Sequence, residues 1–288
     1  MKLHSDSIRL PSGAALDFSG PALVMAIINC DEDSFYAPSR ALGEEAVEKA
    51  LAAEKEGAAI VDFGAESSRP GAEYISEEEE LKRLIPVISA FRKQSSLPVS
   101  VDTRKASVAR AAIEAGADII NDISALNDDD PEMAAVCAEK GAAVVLMHKK
   151  GLPLTMQENP SYSNLVEEIG AFLKDSVKRA LAAGISREKI ILDPGIGFGK
   201  GLKDNLKIIR LLAEICGNDY PILVGLSRKS FIGEITSRLG VAQDAEGRLA
   251  GTLAANASAI LAGADIIRVH DVKEHVDLAK VLFSIARE

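Results

Sequence analysis

The sequence predicts an α/β protein folded as a single (β/α)8 barrel, and three observations carry that prediction. Short runs rich in Val, Ile and Ala recur at 23–29, 58–64, 98–103, 118–122, 142–148, 189–193, 221–225 and 265–270. Such runs without polar alternation fit strands covered on both faces. Helix-like stretches separate them, so strand and helix alternate along the chain. Finally, 288 residues is a length that α/β barrels use as one domain, and no linker or change of composition divides 1–288. An open doubly wound sheet is the alternative, which eight repeated units with doubly covered strands disfavour.

In order along the chain, residues 1–20 are expected to form a short hairpin capping the barrel floor. The helix-like stretches follow at 44–56, 77–93, 105–115, 131–140, 165–183, 203–216 and 247–262. Several end in a small-residue hinge, at Gly57, Gly116, Gly141, Ala182 and Ala262, where glycine suits a left-handed helix cap and a short return to the next strand. The acidic run 77–80 suits a solvated helix N-terminus, where negative charge complements the helix dipole.

Composition narrows the function. A formal charge of −10 argues against broad binding to nucleic acid or an anionic membrane, so any anion site is local. The 47% hydrophobic and 26% charged content is that of a globular chain, and no apolar run approaches a bilayer span. The opening MKLHSDSIRL lacks the apolar centre of a signal peptide, and a cytoplasmic location is expected. Cys30, Cys137 and Cys216 are widely spaced and form no CxxC pair, so reduced thiols are expected, with Cys137 and Cys216 in helix core.

In a barrel of this kind the site lies at the C-terminal ends of the strands, so the polar residue closing each apolar run is informative. Those residues are Asn29, Asp62 with Glu66 and Arg69, Asp102, Asn121 with Asp122, Met147 with His148, Asp193, Lys229, and Arg268 with His270. Each alone reads as a cap or turn former, but their gathering on one rim does not. Asp102, Asn121 and Asp193 supply acceptors and an amide for a flat ligand with several N–H donors, such as an aminopyrimidinone edge. Asn29, Arg69, Arg268 and His270 supply donors for phosphate oxygens.

Two loops shape this rim. At 221–233 a buried strand ends in Ser227-Arg228-Lys229-Ser230, which places Lys229 over a ligand and leaves free N–H groups in the following helical turn. At 193–200, Asp-Pro-Gly-Ile-Gly-Phe-Gly-Lys bends the chain tightly, and Phe198 offers an apolar face. This loop lacks the dinucleotide-binding glycine pattern.

The motifs MAIINCDEDSF from Met25, DFGAESSRPGA from Asp62, SVDTRK from Ser100, INDIS from Ile120, LMHKKGLPLTMQ from Leu146, LDPGIGFGK from Leu192, GLSRKSFIG from Gly225 and IRVHDV from Ile267 resemble, over nearly the whole chain, the dihydropteroate synthase family. These pterin-binding enzymes of folate biosynthesis join a pterin to p-aminobenzoate. The resemblance implies a (β/α)8 barrel and a pterin pocket of Asp102, Asn121, Asp193 and Lys229, with Met147, Phe198 and Arg268 around the ring. It implies a diphosphate site of Asn29, Ser68, Arg69, Arg268 and His270. The p-aminobenzoate pocket, which sulfonamides also occupy, maps to Phe35, Ser68, Arg69, Pro70, Phe198, Lys229 and Ser230. The residues it implies for catalysis are Lys229, Arg69, Asp33 and Arg268, with Mg2+ on Asn29 and a homodimer.

The expected reaction transfers the (7,8-dihydropterin-6-yl)methyl group from its diphosphate ester to the amine of p-aminobenzoate, releasing pyrophosphate. Electron donation from the pterin supports a developing methylene cation, so the protein has chiefly to orient the reactants and disperse charge. No side-chain nucleophile is required, Cys30 included. The chain departs from the family in its first loop, where Thr-Pro has become Asp31-Glu32 and the following glycines are absent, and in Ser68, which replaces a common threonine. Two other readings are a methyltransferase passing a pterin's methyl group to a corrinoid protein, disfavoured by Ser227-Arg228-Lys229-Ser230 and Arg268-Val269-His270, and a non-catalytic pterin-binding paralogue.

Overall fold

The computed structural model describes residues 4–30, 39–66, 75–127, 130, 132–151, 156, 160–237 and 240–288, with only the backbone of 39–42. The strands are β1 (Ser7–Arg9), β2 (Ala15–Asp17), β3 (Leu23–Asn29), β4 (Ile60–Gly64), β5 (Val99–Asp102), β6 (Ile119–Asp122), β7 (Ala143–Met147), β8 (Ile190–Asp193), β9 (Leu223–Gly225) and β10 (Ile266–Val269). The helices are α1 (Ser39–Glu56), α2 (Glu77–Arg92), α3 (Ala106–Ala115), α4 (Glu132–Lys140), α5 (Leu165–Ala182), α6 (Leu202–Arg210), α7 (Leu212–Cys216), α8 (Ser230–Ile235), α9 (Leu249–Leu261) and α10 (Val272–Arg287).

Strands β3 to β10 form one eight-stranded sheet in the order β8-β7-β6-β5-β4-β3-β10-β9, and every named pair in it is parallel. A parallel bridge between Leu192 and Ile222 joins β8 to the chain entering β9, and the Leu192 N–H donates to Pro221 O at 2.9 Å. The sheet thereby curls into a nearly closed barrel. The eight expected strands all form, each within a residue or two of the apolar run that predicts it.

Successive strand residues face opposite sides of a sheet, and this alternation sorts the side chains into two sets. Val24, Val61, Phe63, Val101, Ile120, Val144, Leu146, Val224 and Ile267 pack outward against the helices. Met25, Ile60, Ile119, Val145, Ile191, Leu223 and Ile266 pack inside the barrel. Two residues further along the inward face come Asp62, Asn121, Met147, Asp193 and Arg268. Period two therefore converts one apolar layer into a polar layer above it.

The lower layer is sealed by β1 and β2, an antiparallel pair in which Ile8 faces Leu16. Ile8, Leu10, Leu16 and Phe18 are buried in the same apolar cluster as the inward residues of the strands. Arg92 of α2 pairs with the fully buried Asp118, whose Oδ1 accepts the Ser12 N–H at 3.0 Å and whose Oδ2 accepts that of Val99 at 3.1 Å. The hairpin is thus held by apolar contact and by a neutralised acid.

The helices follow local chemistry. Ser76 caps α2, its hydroxyl accepting from Glu79 N, and Asn164 caps α5 in the same way. Gly116 ends α3 in the left-handed conformation at φ 115°. Two features differ from expectation. The single helix expected over 203–216 breaks at Leu211 (φ −110°, ψ 28°) into α6 and α7. The chain also ends in α10, which buries Val272, His275, Val276 and Ala279 and fell outside the expected helices. Cys137 and Cys216 are buried, and burial pushes the Cys137 thiol up to about 12. Among the described residues no helix is long and apolar enough to cross a membrane.

Candidate active site

Asp102, Met147 and Asp193 close β5, β7 and β8 on the inward face, Asn121 is the last inward residue of β6 before Asp122 ends it, and Arg268 lies on β10 across the barrel mouth. Asp102 and Asn121 are register partners on adjacent strands, as are Met147 and Asp193. Asn121, Met147 and Asp193 are buried, while Asp102 is partly open. Asp102 and Asn121 are therefore neighbours, and Asp193 lies two strands on from Asn121, beyond Met147, on the same inward face. Asn29 ends β3 opposite Gly64 of β4 and is exposed at the mouth.

Burial governs the charges here. It raises the Asp193 carboxyl to about 6, against the Gly195 N–H at 2.7 Å and the charges of Lys229 and Lys200, which lower it. It likewise raises Asp102, with the nearby acids adding to the effect and Arg268 opposing it. Lys229 moves the other way, down to about 8, because burial disfavours its charge more than Asp193 supports it. Acids and cations here thus compensate one another only in part against burial, a pattern common at functional sites.

Lys229 leads into α8 with extended backbone (φ −63°, ψ 150°), and no side chain caps that helix start. The preceding Arg228 has φ 54°, a left-handed conformation unusual for a side chain of its size. It is held there by Asp271, which accepts Arg228 Nε at 2.9 Å and Nη2 at 2.5 Å, and by Thr252 Oγ1, which accepts its N–H at 3.1 Å. This turn sends Lys229 Nζ to the carbonyl of Ile196 and over the Phe198 ring, 4.3 Å from its centroid. Ser230 is exposed at the first position of α8. Ser227 Oγ lies 2.9 Å from His270 Nδ1 and accepts the His270 N–H at 3.1 Å, so the loops after β9 and β10 move as one.

The glycine loop after β8 is pressed against the end of β7. A Cβ added at Gly195 (φ 67°) would meet His148 O at 1.8 Å, and one at Gly199 (φ 67°) would meet Lys150 O at 2.2 Å. Backbone approaches this close admit no side chain. The loop is fixed from within by Lys200, a residue without a role in the sequence reading. It is 2% exposed. Its Nζ lies 2.9 Å from His148 Nδ1 and donates to the carbonyls of Phe198 at 3.0 Å and His148 at 3.3 Å. Burial and the Lys200 charge lower His148 to about 3, so its ring is neutral. Asn205 Oδ1 accepts the Gly197 N–H at 2.8 Å. The loop that carries Phe198 is in this way tied to the end of β7, just past Met147.

Arg268 is held by two acids. Its Nε donates to Asp62 Oδ2 at 2.6 Å and its Nη2 to Asp102 Oδ2 at 3.1 Å. Phe35, Asp33, Ser68, Arg69 and Pro70 lie outside the described residues, as do Asp31 and Glu32 of the altered first loop. The base of the second loop is described: Glu66 Oε2 accepts the Ile75 N–H at 3.1 Å and Lys105 Nζ at 3.0 Å.

Comparisons with known proteins place the chain in a family. The family model described as pterin binding enzyme matches residues 25–270. A dihydropteroate synthase of Synechocystis is 42% identical over 280 residues, covering 96% of this chain and 95% of that protein. The solved structure of Xanthomonas albilineans dihydropteroate synthase with 4-aminobenzoic acid has a TM-score of 0.89 and 39% identity, covering 99% of each chain. The same organism's enzyme in complex with 7,8-dihydropteroate has a TM-score of 0.86 and 38% identity, covering 98% of this chain and 100% of that one.

Proposed function

Because the chain belongs to the dihydropteroate synthase family of pterin-binding enzymes and so makes dihydropteroate in folate biosynthesis, we propose how its own residues divide that work. The observation that carries the division is the convergence of Asp102, Asn121 and Asp193 on one inward face, with Lys229 and Arg268 facing them. Asp102, Asn121 and Asp193 take the pterin's N–H groups and ring nitrogens, and Met147 and Phe198 pack on the ring. Lys229 stands between the two substrates. As a cation whose charge burial disfavours, it gains further compensation from the diphosphate.

Asn29, Ser68, Arg69, Arg268 and His270 hold the diphosphate. The p-aminobenzoate pocket is Phe35, Ser68, Arg69, Pro70, Phe198, Lys229 and Ser230, with the acid's carboxylate at the uncapped start of α8 beside Lys229. Attack by the amine forms the new C–N bond as the C–O bond to the diphosphate breaks. Arg69, Arg268 and Lys229 disperse the charge that develops on the leaving oxygens, and Asp33 serves from the first loop.

The residues present fit Mg2+ on one condition. Asn29 offers a single neutral oxygen at the mouth, and among the described residues no group of three or more His, Cys, Asp or Glu could hold a metal. That set suits a cation that arrives with phosphate oxygens and keeps several waters, which is how Mg2+ is usually bound. Asn29 would hold the ion, which would supply charge neutralisation to the leaving group. The chain works as a cytoplasmic homodimer on this reading. The test is a turnover assay with the dihydropterin diphosphate, p-aminobenzoate and Mg2+. Dihydropteroate and pyrophosphate in equal amounts are expected. Pterin binding without turnover would instead make the chain a binding paralogue.

A further inference from the structure

Asp62 is a fully buried carboxylate next to the pterin pocket, and the division of work above gives it no task. It lies on the inward face of β4, two residues beyond Ile60 of the floor layer. Its Oδ2 accepts both Arg268 Nε at 2.6 Å and Asn121 Nδ2 at 3.3 Å. Arg268 also gives Nη2 to Asp102, so one guanidinium is shared between a deep acid, 0% exposed, and a shallower one, 11% exposed. Asp62 Oδ1 and the hydroxyl of Ser100, its register partner on β5, are buried without a hydrogen-bond partner among the described residues. A counter-ion serving only to neutralise a closed core would not leave such acceptor capacity unused.

We infer that Asp62 is a positioning residue for the first substrate: it keeps Arg268 by Nε and Asn121 by Nδ2, so that Nη2 can leave Asp102 when the pterin diphosphate binds. The inference rests on the reading that Asp102 and Asn121 take the pterin. To accept two parallel N–H groups a carboxylate presents both oxygens, and one oxygen of Asp102 is engaged by Arg268 Nη2. The diphosphate offers Arg268 a replacement acceptor at the mouth. Asp62 makes the exchange a local one, because the Nε–H stays bonded while the outer nitrogens turn from carboxylate to phosphate. Without Asp62 the guanidinium keeps Asp102 as its hydrogen-bonded carboxylate among the described residues and competes there with the pterin.

The test is a double-mutant cycle with Asp62→Asn and Arg268→Ala. Asp62→Asn is expected to raise KM for the pterin diphosphate about 10- to 100-fold, the range for losing a hydrogen bond to a charged group. The effect on kcat should be smaller, and KM for p-aminobenzoate should stay within about twofold. In the Arg268→Ala background the same change should add less than about threefold, since the charged group through which Asp62 chiefly acts is gone and only the longer bond from Asn121 Nδ2, at 3.3 Å, remains. An unchanged KM in Asp62→Asn, or effects that multiply in the double variant, would overturn the inference. Should Asp62→Asn fail to fold, the wild-type protein supplies the measurement. The Nε–H resonance of Arg268, assigned by its loss in Arg268→Lys, should stay protected from solvent exchange with and without the pterin diphosphate and Mg2+. Rapid exchange in the bound state would equally overturn it. Wild-type turnover is the control: its absence defeats the functional reading, whereas turnover with multiplying variants defeats only the role of Asp62.

Discussion

At the floor of the barrel, Asp118 accepts two backbone N–H groups and is paired with Arg92, whereas at the rim Asp193 has the Gly195 N–H and the partly compensating field of two lysines. Asp265, also at the floor, accepts the Ile222 N–H at 2.8 Å and lies 3.5 Å from His4 Nε2. The two ends share the same strands and the same inward face. What separates them is whether the protein itself supplies the partners of its buried charge. Charge at the floor holds elements together, and charge at the rim is kept for something that arrives.

Breaking the floor should be the most damaging to stability and the least to chemistry. Arg92→Met leaves Asp118 without its cation, and removing one partner of a buried pair costs about 3–5 kcal/mol. Urea unfolding should show that loss, while kcat per folded molecule stays near wild type. A stable Arg92→Met protein would mean that the two backbone donors suffice.

The rim should behave oppositely. Because the folded pKa of Asp193 is raised from 3.8 to about 6, its ionisation opposes folding at neutral pH. Below about pH 4 both folded and unfolded forms are protonated and nothing is lost; stability then falls as the pH rises through 6 and levels off above it. Asp193→Asn should therefore stabilise the fold by about 3 kcal/mol at neutral pH and by little at pH 4. Pterin binding should weaken in the same variant. Equal stabilities at neutral pH would show that the carboxylate is already fully compensated.

Lys229→Ala should lower pterin affinity by about 1.5–3 kcal/mol and nearly abolish turnover, because it removes a charge-assisted hydrogen bond from between the substrates. Calorimetry and a product assay read the two effects separately. Retained affinity and turnover would place Lys229 outside the site.

The smallest effect is expected at the first loop. Asp31→Asn with Glu32→Gln should raise the Mg2+ concentration for half-maximal activity by about two- to threefold, if these acids approach the ion or its waters. An identical titration curve would leave Asp33 as the loop's functional acid.

The floor and rim were not equally legible in the sequence. The strands were, because each is an apolar run closed by a polar residue, and α3 was, because Gly116 marks its end. The break at Leu211 was not, since neither Pro nor Gly announces it. The site residues Asp102, Asn121 and Asp193 stand out because alternation carries a polar residue onto a buried face. Lys200 and Asp62 could be seen but not interpreted. Their partners, His148 and Arg268, lie 52 and 206 residues away in sequence, and no local pattern reports a contact between side chains from different strands of the sheet or the loops after them.

The hairpin of β1 and β2 also has a kinetic meaning. Its apolar side chains rest on inward residues of β3, β4, β6, β7, β8, β9 and β10, so its seat is finished only when Ile266 near the chain's far end is in place. A segment that precedes every barrel strand in the chain is thus among the last to dock, and its contacts with Ile266 span most of the sequence. Loop-closure entropy has to be met before those contacts form, which favours slow late docking. During synthesis Ile8, Leu16 and Phe18 remain exposed until the barrel closes, so this segment is where a holding chaperone would find its handle.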